Sequence, residues 1–143
     1  LAAYKKFESS GISFDYPKHL AFEFEQDFGY KGWTLSGSSL VVMVFEMDAM
    51  STLNMMLDEM IKKFGKKNCT VEDYRKELGG KMWNCKKLTV KIAGQRIVME
   101  CYDIKLDDFK SRFIYFQNST QGDINSAEYE DGFNIINSTI RFK

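Results

Sequence analysis

The only histidine and the only proline of the chain lie two residues apart, in the stretch Pro17-Lys18-His19. Histidine is a frequent general base, and a reaction that uses it also needs a nucleophile and an orienting acid nearby. Asp15, or a thiol from elsewhere, could approach His19 in space, but the sequence contains no nucleophile-elbow or metalloprotease motif. We therefore interpret the stretch as a corner after a strand, with an exposed imidazole, and predict no catalytic residue.

The cysteines and a pair of aspartates are the other candidates for chemistry. Cys69, Cys85 and Cys101 follow one another at intervals of sixteen residues, without a Cys-x-x-Cys pair. An odd number of cysteines with one histidine provides neither a zinc-ligand set nor a complete disulfide framework. Asp107-Asp108 lacks the alternating oxygen ligands of a calcium loop and is typical of a turn. The glycines have no phosphate-binding spacing, so the sequence predicts neither a metal site nor a cofactor.

Charge is distributed unevenly along a chain whose formal net charge is zero. The segment from Ile61 to Arg96 holds eleven basic and three acidic residues, and the remainder holds nine basic and seventeen acidic ones. We expect the basic segment to bind an anionic partner, either another protein or an anionic surface, and to bind it less tightly as salt increases. The predicted partner-binding residues are Lys66, Lys67, Lys87 and Lys91.

The alternative for these lysines is a solvated face that nearby acidic residues partly neutralise. On a strand, Lys87 and Lys91 lie on the face away from Leu88, where they could join Lys66 and Lys67 in one patch. Basic residues do not interleave with aromatic ones as in proteins that bind single-stranded nucleic acid, so we expect no nucleic-acid partner.

Alternation of apolar and polar residues predicts a scaffold that consists mostly of strands. The predicted strands are residues 4–8, 12–16, 20–25, 33–36, 40–47, 71–78, 83–93, 96–105, 110–117 and 139–142. In residues 20–25, Leu20, Phe22 and Phe24 alternate with polar or small residues, which predicts a half-buried strand. Residues 40–47 and 110–117 are apolar on both sides, as expected of central strands with both faces covered.

Two helices complete the pattern. Over residues 53–64 apolar side chains recur every three or four positions and form one continuous face. Asp48 or Ser51 is expected to cap the start of this helix, and Gly65 its end. Residues 126–137 predict a second helix, with acidic residues near its N-terminus.

The segments 83–93 and 96–105 are expected to form a hairpin. Gly94-Gln95 suits a type II′ turn, which places Leu88 opposite Cys101. Successive residues of a strand point to opposite faces, so Cys85 lies on the other face of the sheet. A disulfide needs two side chains that converge, and we therefore expect Cys85 and Cys101 not to be bonded.

The order of elements predicts one α+β domain over residues 1–143. Strands come first, then a helix, a long antiparallel meander and a terminal helix. A sheet whose central strands are apolar on both faces needs cover on both sides. We therefore expect an α/β/α sandwich around a central, mainly antiparallel sheet.

The two ends of the chain resemble the PsbP-like superfamily. GISFDYP (residues 11–17) is similar to the G-x-S/F-x-Y-P opening of that family, and FNIINSTIRF (133–142) is similar to its F-x-x-I-x-x-S-I-x-F exit. The superfamily includes extrinsic photosystem proteins, Mog-type Ran-binding proteins and bacterial exported proteins of unknown role. The resemblance covers nearly the whole chain and implies an α/β/α sandwich that serves as a non-catalytic binding or scaffold module. It assigns no ligand residue.

These observations lead to one expected function and two alternatives. We expect a non-enzymatic binding or scaffold module of an exported or envelope-tethered bacterial protein, for example a lipoprotein. The alternatives are a small enzyme or carrier with a pocket at His19, and an intracellular regulatory domain that binds another protein.

The expected location is extracytoplasmic, with the cytoplasm as the alternative. The chain opens on Leu1 rather than on a methionine, which is expected of the mature part of a longer product with an upstream signal or anchor, and equally of a trimmed chain. The longest apolar run, residues 40–45, is too short to cross a bilayer. We therefore expect contact with a membrane only through an upstream anchor.

Overall fold

The computed structural model describes residues 3–119 and 126–143. Over this part of the chain it contains ten β-strands, two α-helices and one turn of 3-10 helix. The strands are β1 (Tyr4–Ser9), β2 (Ile12–Pro17), β3 (Ala21–Asp27), β4 (Tyr30–Ser36), β5 (Leu40–Asp48), β6 (Cys69–Leu78), β7 (Lys81–Ile92), β8 (Gln95–Ile104), β9 (Lys110–Asn118) and β10 (Arg141–Phe142). The helices are α1 (Leu53–Phe64) and α2 (Ala127–Thr139), and the 3-10 turn is Lys66–Asn68.

The strands form two sheets. Seven strands lie in the order β3-β4-β5-β9-β8-β7-β6, and three lie in the order β1-β2-β10. All neighbouring strands in both sheets pair antiparallel. The chain is therefore of the mixed α+β class, with a mainly antiparallel sheet, as the sequence predicts.

The central strands β5 and β9 bury side chains on both faces of the larger sheet. On one face, Leu53 and Leu57 of α1 share a buried cluster with Leu88 and Tyr115. On the other face, Ile136 of α2 and the inward side chains of the smaller sheet belong to a second cluster. The double coverage that we expected for these two strands is confirmed, because neither β5 nor β9 has a face open to solvent along most of its length.

Both helices begin at a hydroxyl cap. The Thr52 hydroxyl accepts a hydrogen bond from the Met55 N–H at 3.2 Å, so the expectation of Asp48 or Ser51 as the α1 cap is wrong. Asp48 is instead the last residue of β5. Gly65 ends α1 as predicted, at a φ of 91° that favours glycine. Neither helix of the described residues is long and apolar enough to cross a membrane.

All seven residues of strand β3 are exposed, so the prediction of a half-buried strand is wrong. Phe22 is 52% exposed and Phe24 49% exposed. Both nevertheless point to the α2 face of the sheet, because they pair with Leu35 and Trp33 of the core cluster on that face. Leu20 is buried, but it lies before the strand begins. The reason is the position of β3 at the end of the sheet, where it has β4 as its one neighbour.

The turn between β7 and β8 also differs from the prediction. Ala93 and Gly94 occupy the two turn positions with φ angles of 52° and 78°, which is the pattern of a type I′ turn. Ile92 therefore pairs with Gln95, and the predicted type II′ turn at Gly94-Gln95 is wrong by two residues of register.

A register shift of two residues leaves every side chain on its original face. Leu88 pairs with Met99 rather than with Cys101. Cys85 still belongs to the core cluster on the α2 side, and Cys101 to the cluster on the α1 side. The predicted separation of the two thiols by the sheet is confirmed, and all three cysteines are free.

Candidate functional site

His19 lies in the turn between β2 and β3, next to the first turn of α2. Its Nε2 is 2.8 Å from a carboxylate oxygen of Glu128. The imidazole side chain is 57% exposed, whereas the Glu128 side chain is 17% exposed. Asp15, the acid close to His19 in sequence, instead donates its backbone N–H to Thr139. The structure therefore gives His19 a carboxylate neighbour that the sequence does not predict, and gives it an open rather than an enclosed position.

Glu128 joins the start of α2 to the connection between β4 and β5. Its Oε1 accepts hydrogen bonds from the N–H groups of Ser39 at 2.7 Å and Leu40 at 2.8 Å, and from the Ser39 hydroxyl at 3.0 Å. Burial alone would raise the pKa of Glu128, but these donors and His19 outweigh it and lower the pKa to about 2. Gly37 leaves room for the carboxylate, since a Cβ there would lie 2.6 Å from its oxygens.

Ser39, Glu128 and His19 are not arranged as in a catalytic triad. In a serine triad the imidazole lies between the hydroxyl and the carboxylate, so that it can take the proton from the hydroxyl. Here the Glu128 carboxylate lies between the Ser39 hydroxyl and the His19 imidazole. The hydroxyl donates directly to a carboxylate of low pKa, which is a poor base. The arrangement holds α2 in place and offers no activated nucleophile.

A second polar cluster surrounds Glu100 on the α2 face of the sheet, and its side chain is 12% exposed. The Glu100 carboxylate accepts hydrogen bonds from the Tyr74 hydroxyl and from the Lys76 ammonium at 2.9 Å. The Tyr129 hydroxyl of α2 is 3.4 Å away. Burial favours a raised pKa for Glu100, but Tyr74 and Lys76 outweigh it and hold the pKa below its usual value. This charge is paired and hydrogen-bonded, as a buried carboxylate requires.

A third cluster ties the β1–β2 turn to β9. Arg112 is 4% exposed and binds the Asp108 carboxylate through two hydrogen bonds of 2.8 and 2.7 Å. Its Nε also donates to the Ser10 carbonyl oxygen at 2.6 Å. The Arg112 guanidinium lowers the pKa of Asp108 to about 2. Asp108 thus has an arginine partner within a turn, and across the described residues no group of three or more His, Cys, Asp or Glu is arranged to hold a metal ion.

Lys66 and Lys67 lie exposed in the 3-10 turn that leads into β6. The first residue of β6 pairs with Val90, so this turn runs beside the end of β7 where Lys91 lies. Lys91 is exposed and stands directly opposite Arg96 across the β7–β8 pair. None of these four cations forms an ion pair within the part of the chain that the structure describes. We call Lys66, Lys67, Lys91 and Arg96 the basic corner.

Lys87 has a different environment from the other predicted binding residues. It alternates with the buried Leu88 and lies on the α2 face, and α1 covers the opposite face. Its cross-strand neighbours are Glu72 on β6 and Glu100 on β8, and its ammonium is 5.7 Å from the centre of the Tyr74 ring. Lys87 is therefore already partly neutralised by the fold.

A cleft between α1 and β6 lies next to the basic corner. Its volume is about 620 Å³.

 Met55 and Ile61 of α1 and Val71 of β6 supply apolar lining. The charged residues that line the cleft are Asp58, Glu59, Lys62 and Lys66, of which Glu59 and Lys62 form an ion pair. Met55 is 55% exposed, so its side chain is open to a binding partner. The basic corner thus adjoins an apolar groove through Lys66, which belongs to both.

Comparison with known proteins supports the fold and assigns no activity. No protein-family model matches the chain, and no curated protein matches it. A crystal structure from Bacteroides thetaiotaomicron VPI-5482 is similar to this chain, with a TM-score of 0.52 and 15% sequence identity. The alignment covers 99% of this chain and 49% of the Bacteroides chain, so this chain spans about half the length of that protein. A likeness at this level of identity concerns the fold alone.

Two features of these sites could not be read from the sequence. Glu128 and Glu100 each bind groups that are far away along the chain, such as Ser39 and Tyr74, and no short motif connects them. Arg96, in contrast, could have been included among the predicted binding residues, because it is the last residue of the basic segment. A type I′ turn at Ala93 and Gly94 would have placed it opposite Lys91.

Proposed function

We propose that this chain is a non-enzymatic binding module that recognises an acidic segment of a partner protein. The observation that carries the proposal is the direct cross-strand pairing of Lys91 with Arg96. Like charges that face each other across a strand pair are destabilising. An acidic side chain of a partner that binds between them would relieve this repulsion, so the pair favours an anionic ligand.

The neighbouring groove supports a protein partner over a simple ion. Its apolar residues Met55, Ile61 and Val71 suit apolar side chains. Asp58 and Glu59 also line the groove, Glu59 paired with Lys62, and Lys66 is the cation at the basic corner that suits an acidic side chain. A segment with both kinds of side chain would lie in the groove on the α1 side and pass around the end of β7 to Lys91 and Arg96, whose side chains point to the α2 side. Methionine suits such a surface because its flexible side chain adapts to different partners.

For the fold, we propose the PsbP-like arrangement, an α/β/α sandwich. The two segments that carry the resemblance lie beside each other in the smaller sheet. Phe142, from the closing motif, pairs with Ile12 of the opening motif, and Arg141 pairs with Ser13. This proximity is what two motifs of one family would require if both maintain the same part of the fold. A member of this superfamily would serve as a binding or scaffold module rather than as an enzyme.

The alternative functions are less well supported. An enzyme or carrier at His19 would draw support from the 2.8 Å contact with Glu128, but the carboxylate is already bound by backbone N–H groups and the imidazole is open to solvent. For location, we propose an extracytoplasmic protein, with an intracellular regulatory domain as the alternative. Fractionation of cells that express the full-length gene distinguishes the two locations.

The binding proposal is tested with a synthetic peptide in which glutamate and leucine alternate. The protein is titrated with this peptide at low and high salt, and with a serine-leucine peptide as the neutral control. We expect the acidic peptide to bind more tightly and to lose affinity as salt increases. The charge reversal Lys66→Glu with Lys91→Glu should weaken binding by about tenfold or more, a change of about 1.4 kcal/mol.

A matched control reverses two exposed lysines of the smaller sheet and its following turn, Lys5→Glu and Lys18→Glu. These changes alter the net charge by the same amount but lie away from the basic corner. The proposal is wrong if the control weakens binding as much as the corner variant does. It is also wrong if the acidic and neutral peptides bind equally well.

A further inference from the structure

Strand β3 is an open edge of the larger sheet. It spans Ala21–Asp27 at one end of the strand order, and all seven of its residues are exposed. An edge strand presents a row of N–H and C=O groups that can pair with another strand. Natural proteins protect such edges with charges, bulges or covering segments, and a strand of this length without cover is a template for strand addition.

One face of β3 is aromatic. Phe22 and Phe24 point to the α2 face of the sheet and are each about half exposed. The Phe24 ring lies 5.4 Å from that of Trp33, which in turn lies 5.9 Å from the ring of Phe7 in the core. The aromatic core therefore continues to the edge of the sheet and ends there, where an added strand could lay apolar side chains beside it.

The other face of β3 is acidic and lacks a basic neighbour. Glu23 pairs with Thr34, and Glu25 pairs with Gly32. The nearby Lys31 instead lies 3.9 Å from Glu46. Glu23 and Glu25 form no ion pair within residues 3–119 and 126–143, so their charges are available to a ligand.

Strand β6, at the opposite edge of the same sheet, has acidic residues that face lysines of the neighbouring strand. On β6, Asp73 forms an ion pair of 2.6 Å with Lys86 of the neighbouring strand. Glu72 of β6 likewise stands opposite Lys87. Glu72 and Asp73 of this edge therefore have cationic neighbours within the fold, whereas Glu77 stands opposite Met82. Glu23 and Glu25 of β3 have no such cationic neighbour among the described residues. Strand β3 is therefore the edge at which a partner could supply the missing positive charges.

We propose that β3 accepts an eighth strand from a partner protein, an extended segment in which basic side chains alternate with apolar ones. Main-chain hydrogen bonds would supply affinity, and the alternating side chains would supply specificity. The basic residues would lie beside Glu23 and Glu25, and the apolar ones beside Phe22 and Phe24. A second copy of this chain fits less well, because pairing β3 with β3 would bring acidic residues of the two copies together.

The test uses a blocked eight-residue peptide in which valine and lysine alternate. Its binding to the full chain is followed through the backbone amide signals by NMR at about 150 mM salt. Control peptides replace lysine with glutamate, or keep the composition but separate the valines from the lysines. We expect the alternating basic peptide to bind β3 at least about tenfold more tightly than either control. The affinities are taken from the amide signals of β3 residues, because the glutamate peptide can also bind the basic corner.

Charge reversal tests the acidic face. Glu23→Lys with Glu25→Lys should weaken binding of the basic peptide by about tenfold or more and create binding of the valine-glutamate peptide. The matched control reverses two exposed glutamates on the other edge strand, Glu72→Lys and Glu77→Lys, and should change binding less than about twofold. The proposal is overturned if the two pairs of substitutions have equal effects, or if the composition-matched peptide binds as tightly.

Proline substitution tests the main-chain pairing. Successive residues of a strand direct their N–H groups to opposite sides in the plane of the sheet. Glu23→Pro and Phe24→Pro therefore remove N–H groups on opposite sides of β3, and one of the two points away from β4. The variant that lacks this outward N–H should keep the native circular dichroism spectrum but no longer bind the peptide. Binding that survives in both folded variants rules out strand addition, and if neither folds, the charge reversal decides. Failure here leaves the proposed function of the basic corner intact, because the surface and the probe differ.

Discussion

The Glu128 anchor provides a quantitative test of how the second helix is held. The carboxylate accepts two backbone N–H bonds, from Ser39 and Leu40, at 2.7 and 2.8 Å. Glu128→Gln removes the charge that strengthens these bonds and directs an amide NH₂ group toward donors. We expect the variant to fold, with a lower free energy of unfolding, because the rest of the α2 contact with the core remains.

The magnitude follows from the pKa of the carboxyl group. Folding lowers the pKa of Glu128 from 4.5 to about 2. At about 1.4 kcal/mol for each pKa unit, the contribution of the ionised carboxylate to the free energy of unfolding is at most about 3 kcal/mol. The side chain keeps 17% of its exposure, so solvent screens part of the interaction. We therefore expect Glu128→Gln to lower the free energy of unfolding by about 2 kcal/mol at pH 7.

The dependence on pH separates this mechanism from a general loss of packing. Because the folded-state pKa lies below the unfolded one, the contribution of Glu128 is complete above the unfolded value of 4.5 and is lost as the pH falls toward 2. Urea denaturation at a series of pH values measures the free energy of unfolding of each protein. The difference between the natural chain and the variant should be constant from about pH 7 to 6 and should shrink as the pH falls below about 4.5.

Two control variants make the result specific. Glu130→Gln changes an exposed glutamate in the same first turn of α2 and should cost less than about 0.5 kcal/mol. His19→Ala removes an exposed partner of the carboxylate and should cost less than about 1 kcal/mol. The reasoning is refuted if Glu128→Gln costs no more than Glu130→Gln, or if its cost is independent of pH.

Three further predictions concern packing, a buried charge and the thiols. Gly132→Ala should lower stability by about 1–3 kcal/mol despite the better helix propensity of alanine, because a Cβ would lie 2.3 Å from a Leu40 methyl group in the core; thermal unfolding measures this. Arg112→Ala should lower the free energy of unfolding by about 3 kcal/mol in urea, because a buried side chain is lost together with its hydrogen bonds to Asp108 and to the Ser10 carbonyl oxygen. Iodoacetamide should label Cys69 before Cys101 in the native protein, as mass spectrometry of timed samples can show, because Cys101 is fully buried and burial raises its pKa.

The sequence predicts best those elements in which every apolar face is also a buried face. Apolar residues at helical spacing identified α1, and strands apolar on both faces identified β5 and β9, because these elements are in fact covered on the faces that the pattern marks. Strand β3 has an equally clear alternation, but a pattern shows only that one face is apolar. Whether another element covers that face depends on strand order, and β3 lies at the edge.

The hairpin between β7 and β8 shows a different limit. Glycine suits positions in both common two-residue turns, so Gly94 alone does not determine which residue accompanies it. The turn uses Ala93 at a φ of 52°, a conformation that alanine rarely adopts, and propensity therefore favoured the wrong register. The inference about Cys85 and Cys101 survived because it depended on the faces of the strands, which a shift of two residues preserves.

The fold separates the charges of this neutral chain into two surfaces that act independently. The basic corner includes Lys91 on β7, and the acidic edge is Glu23 and Glu25 on β3, five strand positions away in the sheet. At about 4.8 Å for each strand spacing, the surfaces are roughly 24 Å apart. This exceeds the screening length of about 8 Å at physiological salt, so neither surface neutralises the other. Charge reversal at the basic corner should therefore leave binding of the valine-lysine peptide to β3 unchanged. Charge reversal at β3 should leave the affinity of the basic corner for the glutamate-leucine peptide unchanged.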